Sequence, residues 1–293
     1  RWKAVTLAAA DDADAAGGTA TFQVAAPGGA AADVAATELD DDIGENLALA
    51  SGGSTLSGRK AYNLANVNDG VHMASTNFGY TAWTAAPPGS MTLDLKATAT
   101  VSRVRVLNWD WDARVHQYAI ESSADGVSWS SLVDASAGEH RGWEDWPVSD
   151  RTARYLRITG LSNSVNAIFC LAEWEVVGIR LPQAVLNRSS VNVRENGEGR
   201  FFVKLDRAPV GSATVTVARV SENTNVTVKS DAQWVFTAST WNTWKPVTLE
   251  AADDADTLDG LAIFQVTAPG WVANVEATAL DDDIGENWAL ASA

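Results

Sequence analysis

Cysteine is nearly absent. The 293-residue chain has one, Cys170, so it forms no internal disulfide, and within FCLAEWEVV it reads as a small core residue of a strand. Bacterial surface proteins commonly do without cystines, so this is compatible with export. Long apolar runs are missing too: stretches such as 176–179 are far below the ~20 residues of a membrane-spanning helix. The opening RWKAVTLAAADD has neither the apolar core nor the cleavage pattern of a secretory signal, so any export signal is expected outside this segment. Basic residues are outnumbered, 21 Lys and Arg against 37 Asp and Glu, for a net charge of −16. Such a polyanion repels nucleic acid, which is bound through basic patches, and makes cations its natural partners.

What the chain does have is a copy of itself. WKAVTLAAADDAD starts at Trp2 and WKPVTLEAADDAD at Trp244; FQVAAPG starts at Phe22 and FQVTAPG at Phe264; DDDIGENLALAS starts at Asp40 and DDDIGENWALAS at Asp281. The first two pairs are 242 positions apart and the third 241, so the chain reads as about one period of a tandem array plus a partial second copy. Texture divides the period. A segment rich in Trp, Asn and Arg is expected as one domain at 43–179. From 180 to 283, short alternating runs (SVNVRE, GRFFVKL, ATVTVARV, NVTVKS, AIFQVTA) are separated by Gly, Pro, Asn and Asp, the pattern of an all-β sandwich. Residues 1–42 repeat only the C-terminal half of that sandwich, and residues 284–293 repeat the start of the 43–179 domain. Two or three strands without their partner sheet leave an apolar face and open edges, so neighbouring repeats or identical chains are expected to complete 1–42.

Segment 180–283 resembles the Calx-β family, an immunoglobulin-like sandwich, through Glu195 in VNVRENGEGRFFVKL, the loop AADDADTLDG and the triplet Asp281, Asp282 and Asp283. The resemblance implies calcium at one tip, held by Glu195, Asp253, Asp254, Asp256 and that triplet. In the half-copy it implies an equivalent tip of Asp11, Asp12, Asp14, Asp40, Asp41 and Asp42. The chemistry points the same way, because calcium takes six to eight oxygens, about 2.3–2.6 Å away, that clustered Asp can supply. An acidic solvated surface, as in salt-adapted proteins, is the competing reading of the same residues.

The 43–179 domain resembles the discoidin, or coagulation-factor type C, jelly roll, which includes the family 32 carbohydrate-binding modules. The carrying residues are AYNLANVNDG, TAW, MTLDL, the block VSRVRVLNWDWDARVHQYAIESSADGVSWSSL, ARYLRITG and FCLAEWEVVG. LNWDWDAR followed by NSVNAIF looks closest to a discoidin branch better known for protein interaction than for sugar binding. The resemblance implies a structural calcium at Asp69, Thr76, the carbonyl of Ala172 and Glu173; Asp69-Gly70 reads equally as a turn. Glu173 favours the metal over a turn alone at Asp69-Gly70, because an acid beside a buried strand needs a partner. The resemblance also implies ligand loops at 77–88, 108–116 and 161–168, with Trp83, Trp109, Trp111, Arg114, His116, Asn163 and Asn166 as candidate glycan contacts. Quieter roles are open to them: Trp109 and Trp111 as core packing on one strand face, Arg114 as an ion pair with Asp112, and His116 as a structural residue.

No G-x-S-x-G elbow, H-E-x-x-H pair or phosphate loop occurs, and His72, His116 and His140 have no metal-ligand spacing. The carboxylate pairs that glycoside hydrolysis would need are present, but each acidic cluster is duplicated or belongs to a calcium tip. The chain therefore reads as non-catalytic, extracellular or on a bacterial cell surface. Its expected role is a calcium-stiffened stalk or fibre, a glycan- or matrix-binding adhesin strengthened by repetition, or a spacer of a larger secreted enzyme.

Overall fold

A computed structural model describes residue 7 and residues 19–25, 31–37, 44–72, 82–85 (backbone), 88–109, 114–254 and 258–282. The chain divides into two compact units, one of residues 1–96 and 100–179, the other of residues 97–99 and 180–293. Strands dominate both. Among the described residues no helix is long and apolar enough to cross a membrane.

The first unit holds β1 (Thr19–Val24), β2 (Ala32–Thr37), β3 (Glu45–Asn46), β4 (Thr55–Arg59), β5 (Ala61–Tyr62), β6 (Ala82–Ala85), β7 (Gly89–Asn108), β8 (His116–Ser123), β9 (Ser130–His140), β10 (Gly142–Asn163) and β11 (Ile168–Arg180). β1 and β2 form a sheet of their own. The others make one nine-stranded sheet in the order β5-β6-β11-β7-β10-β8-β9, with β3 on β11 and β4 on β7. Alternation builds its core: Met91, Leu93 and Leu95 on β7, Tyr118 and Ile120 on β8, and Leu156 and Ile158 on β10 are buried at every second position. β11 is buried along nearly its whole length, so it cannot alternate apolar with polar, and its buried residues include Glu173 and Glu175. Close packing at its end requires glycine, since a Cβ on Gly178 would stand 2.2 Å from the Thr100 carbonyl oxygen.

The second unit holds β12 (Ala184–Leu186), β13 (Ser190–Arg194), β14 (Glu198–Leu205), β15 (Ser212–Arg219), β16 (Val226–Ser230), β17 (Gln233–Thr237), β18 (Lys245–Ala251), β19 (Gly260–Ala268) and β20 (Trp271–Leu280). They form a four-stranded sheet, β12-β14-β18-β16, and a five-stranded sheet, β13-β20-β19-β15-β17. Val191 and Val193, Val215 and Val217, Phe264 and Val266, and Val275 and Ala277 point inward from the second sheet. They meet Phe201, Val203, Leu205, Val247 and Leu249 of the first in one core. The pairing of β13 with β20 is parallel, with Arg194 beside Leu280. The two strands therefore end at the same tip, where Glu195 also bridges to Ala251 at the end of β18.

Candidate functional sites

Because β13, β18 and β20 all end at that tip, the acidic residues that follow each strand are gathered there. One carboxylate oxygen from each of Glu195, Asp253 and Asp282 lies within 4.8 Å of the other two. Glu195 is 4% exposed and its Oε2 has no hydrogen-bond partner among the described residues. Burial, then the charges of Asp254, Asp281 and Asp282, push its carboxyl above the usual range. The loops are tied down around it. The Glu195 amide donates to the Leu280 carbonyl at 3.2 Å, the Asp281 amide to Asp259 Oδ1 at 3.0 Å, and Asn225 Nδ2 to Asp254 Oδ2. A buried, unpartnered carboxylate oxygen beside two other carboxylates fits a divalent cation. Two ligands on opposite sides of one calcium would be roughly 4.8 Å apart. Of the seven residues expected at this tip, Glu195, Asp253 and Asp282 converge, and Asp254 and Asp281 stand beside them. Asp256 and Asp283 lie outside the described residues, as do Asp11, Asp12, Asp14, Asp40, Asp41 and Asp42 of the half-copy.

In the first unit Asp69 and Glu173 are adjacent. Asn68 donates from Nδ2 to the Ala48 carbonyl at 3.0 Å and its own carbonyl accepts from the Ala50 amide at 2.9 Å, which fixes the turn at Asp69-Gly70. That turn delivers the Gly70 amide to Glu173 Oε1 at 3.3 Å. Glu173 is fully buried, and its Oε2 has no hydrogen-bond partner among the described residues. Burial first, then the charges of Asp69 and Glu175, push its carboxyl up to about 8 against the pull of the Gly70 amide. Asp69 also accepts from the Val71 amide at 2.8 Å, so the turn and the acidic pair coexist. The carboxylates of Asp69 and Glu173 fit a cation or a shared proton. Ala172 is buried next to them on β11, and Thr76 lies outside the described residues.

The expected glycan contacts divide. The Arg114 guanidinium stacks 3.9 Å from the centre of the Trp109 ring, and both side chains are buried. His116 is fully buried, its Nε2 3.1 Å from the Trp109 carbonyl oxygen and its ring edge-on to Phe169. These three are interior side chains, in keeping with the quieter structural roles the sequence left open. Asn163 is spent on its own loop, donating from Nδ2 to the Ile168 carbonyl at 2.6 Å and accepting the Val165 and Asn166 amides on Oδ1. Asn166 is exposed, and its Oδ1 accepts the Ile168 amide at 3.0 Å. Trp83 is described as backbone, paired with Cys170 on β11, and Trp111 lies outside the described residues.

Residues 51–174 match the F5/8 type C domain. That match covers the discoidin part of the chain and less than half of the whole. The chain is similar to parts of curated proteins. BTB/POZ domain-containing protein 9 of Homo sapiens is 35% identical over 83 residues, 28% of this chain and 14% of that protein. The protein of the same name from Drosophila melanogaster is 27% identical over 157 residues, 52% of this chain and 20% of that protein. The chain thus spans a fifth or less of these relatives. Among solved structures, the CBM32 of AlyQ in complex with 4,5-unsaturated mannuronic acid is 27% identical with a TM-score of 0.35, covering 42% of this chain and 92% of that one. Chitosan-binding module 1 of a chitosanase/glucanase from Paenibacillus sp. IK-5 is 26% identical with a TM-score of 0.38, covering 46% and 99%.

Sequence reasoning missed one cluster in the F5/8 type C region. Glu175 receives Arg105 Nη1 at 2.6 Å and stands 2.9 Å from His72 Nε2, while the exposed Trp143 ring lies against both Arg105 and His72. The available signal was Glu173-x-Glu175: two acids on one face of a buried strand each need a partner.

Proposed function

We propose that this chain is a non-catalytic, calcium-binding repeat unit of a larger secreted or surface protein, in which an F5/8 type C binding module alternates with Calx-β-like sandwiches. The convergence of Glu195, Asp253 and Asp282 around a buried carboxylate oxygen without a hydrogen-bond partner carries this reading. When bound, calcium would neutralise carboxylates that otherwise repel one another by roughly 1 kcal/mol per close pair even at the dielectric of water. Glu195 supplies an anchor fixed by the Leu280 carbonyl, and Asp253 and Asp282 supply loop ends that the charge draws in. The tip is thereby stiffened. Asp69 and Glu173 would hold a second ion that pins the 68–72 turn to β11. Isothermal titration with calcium after chelator treatment tests this reading. Binding that Glu195→Gln abolishes at the sandwich tip supports it, and no heat and no shift in melting at millimolar calcium would overturn it.

A second reading is favoured by the F5/8 type C match: the module binds glycan, at loops that include Asn166 and Trp111. A glycan array probed with the chain, with and without chelator, separates adhesion from a purely mechanical role.

A further inference from the structure

The internal duplicate has two fates in this chain. Phe22 pairs with Val34 across β1 and β2, and Phe264 pairs with Val275 across β19 and β20. The repeat aligns Phe22 with Phe264 and Val34 with Val275, so the hairpins share one register, Thr19 opposite Thr37 matching Leu261 opposite Thr278. In the second unit Phe264, Val266 and Val275 are fully buried. There β15 pairs along β19, β13 pairs along β20, and the core residues of β14 and β18 cover the inner face. The matching Phe22, Val24 and Val34 are 42, 55 and 47% exposed. A hairpin of the same register, with the same apolar side chains at the positions of Phe264, Val266 and Val275, thus stands uncovered. A two-stranded sheet with an apolar face in water is marginal by itself.

We propose that β1 and β2 dock onto a second copy of residues 180–242, which would rebuild the sandwich that covers β19 and β20. The second unit itself indicates the occupant, because it displays the complementary surface and its registers. Val24 is assigned opposite the second copy's Val217, as Val266 is here, and Thr37 opposite its Asn192, as Thr278 is here. This inference rests on the duplication and stands apart from the calcium reading.

The test compares the full chain with the same chain extended ahead of Arg1 by a copy of its own residues 180–242, using peptide-resolved deuterium exchange in calcium and in chelator. In the unextended chain β1 and β2 exchange at the earliest time while β19 and β20 stay protected, which also controls for folding. In the extended chain exchange in β1 and β2 slows by ~100-fold or more, and Phe22→Asp restores the fast rate without touching β19 and β20. The proposal is overturned if the extension leaves β1 and β2 exchanging as before, or if protection survives Phe22→Asp. An unextended chain that sediments as an oligomer dispersed by Phe22→Asp also overturns it, since another surface would then be the partner. Loss of protection in chelator alone would implicate the calcium tip in docking, whereas equal protection in both buffers keeps the two readings separate.

Discussion

His140 Nδ1 lies 2.6 Å from Glu144 Oε1 while its Nε2 lies 2.8 Å from the Ala137 carbonyl oxygen, so both ring nitrogens face acceptors. Only the doubly protonated imidazolium can donate to both. Burial works against that charge, but Glu144 and the Ala137 carbonyl outweigh it and hold the pKa above the usual 6.5. The other oxygen of Glu144 accepts from Tyr118 at 2.5 Å and Asn108 at 3.0 Å, and Trp146 Nε1 donates to the Tyr118 hydroxyl at 2.9 Å.

This network makes the first unit sensitive to pH. A folded pKa above the unfolded value means that the stabilisation is complete below pH 6.5 and disappears as pH rises through the folded pKa. Melting should fall as pH rises above 6.5. His140→Gln should flatten that slope, and a slope unchanged in the variant would refute the assignment.

Calcium at the sandwich tip should raise the melting temperature of the second unit, by about 2.7 kcal/mol of stability at one hundred times the dissociation constant. Glu195→Gln should melt higher than the parent in EDTA, because it removes a repelled buried charge, and should lose the calcium response. Differential scanning calorimetry reads both effects.

At Glu173 the sign also favours the protonated form. Its folded pKa of about 8 exceeds the ordinary carboxyl value of 4.5, so metal-free stability is complete below about pH 4.5 and drains away as pH rises through 8. Glu173→Gln should remove that decline in chelator. In saturating calcium the parent should hold its stability at pH 8, because the cation replaces the proton; chemical denaturation at pH 5 and pH 8.5 measures it.

Trp109→Ala should destabilise the first unit by about 3–5 kcal/mol, because it empties a buried ring site on which the Arg114 guanidinium stacks. Asn166→Ala, at an exposed position, should leave urea unfolding within about 0.5 kcal/mol of the parent. If a glycan is found, Asn166→Ala should weaken its binding.

Gly178→Ala should cost about 1–3 kcal/mol by overpacking, since the new methyl would meet the Thr100 carbonyl on one side and Leu47 on the other. Thermal unfolding measures this, and a neutral result would mean that β11 and β7 can separate.

Period-two alternation and turn residues carried the all-β class, because backbone pleating writes burial directly into neighbouring letters, whereas the discoidin region rested on a family resemblance in runs such as AYNLANVNDG and ARYLRITG. The fate of individual side chains was less legible. WDWDARVH reads as a run of ligand-binding residue types with core packing as the open alternative, and its spacing alone does not decide that Trp109, Arg114 and His116 are buried. The grouping of Glu195 with Asp253 and Asp282 rested on a family resemblance, and its geometric cause lies in the parallel pairing of β13 with β20. Residues 58 and 87 positions away from Glu195 come together only when distant strands end at the same tip. The same holds for Phe22 and Phe264: similar local sequence makes hairpins of one register, but whether the apolar face is buried depends on strands more than 40 residues away, since burial belongs to the partner sheet and not to the hairpin.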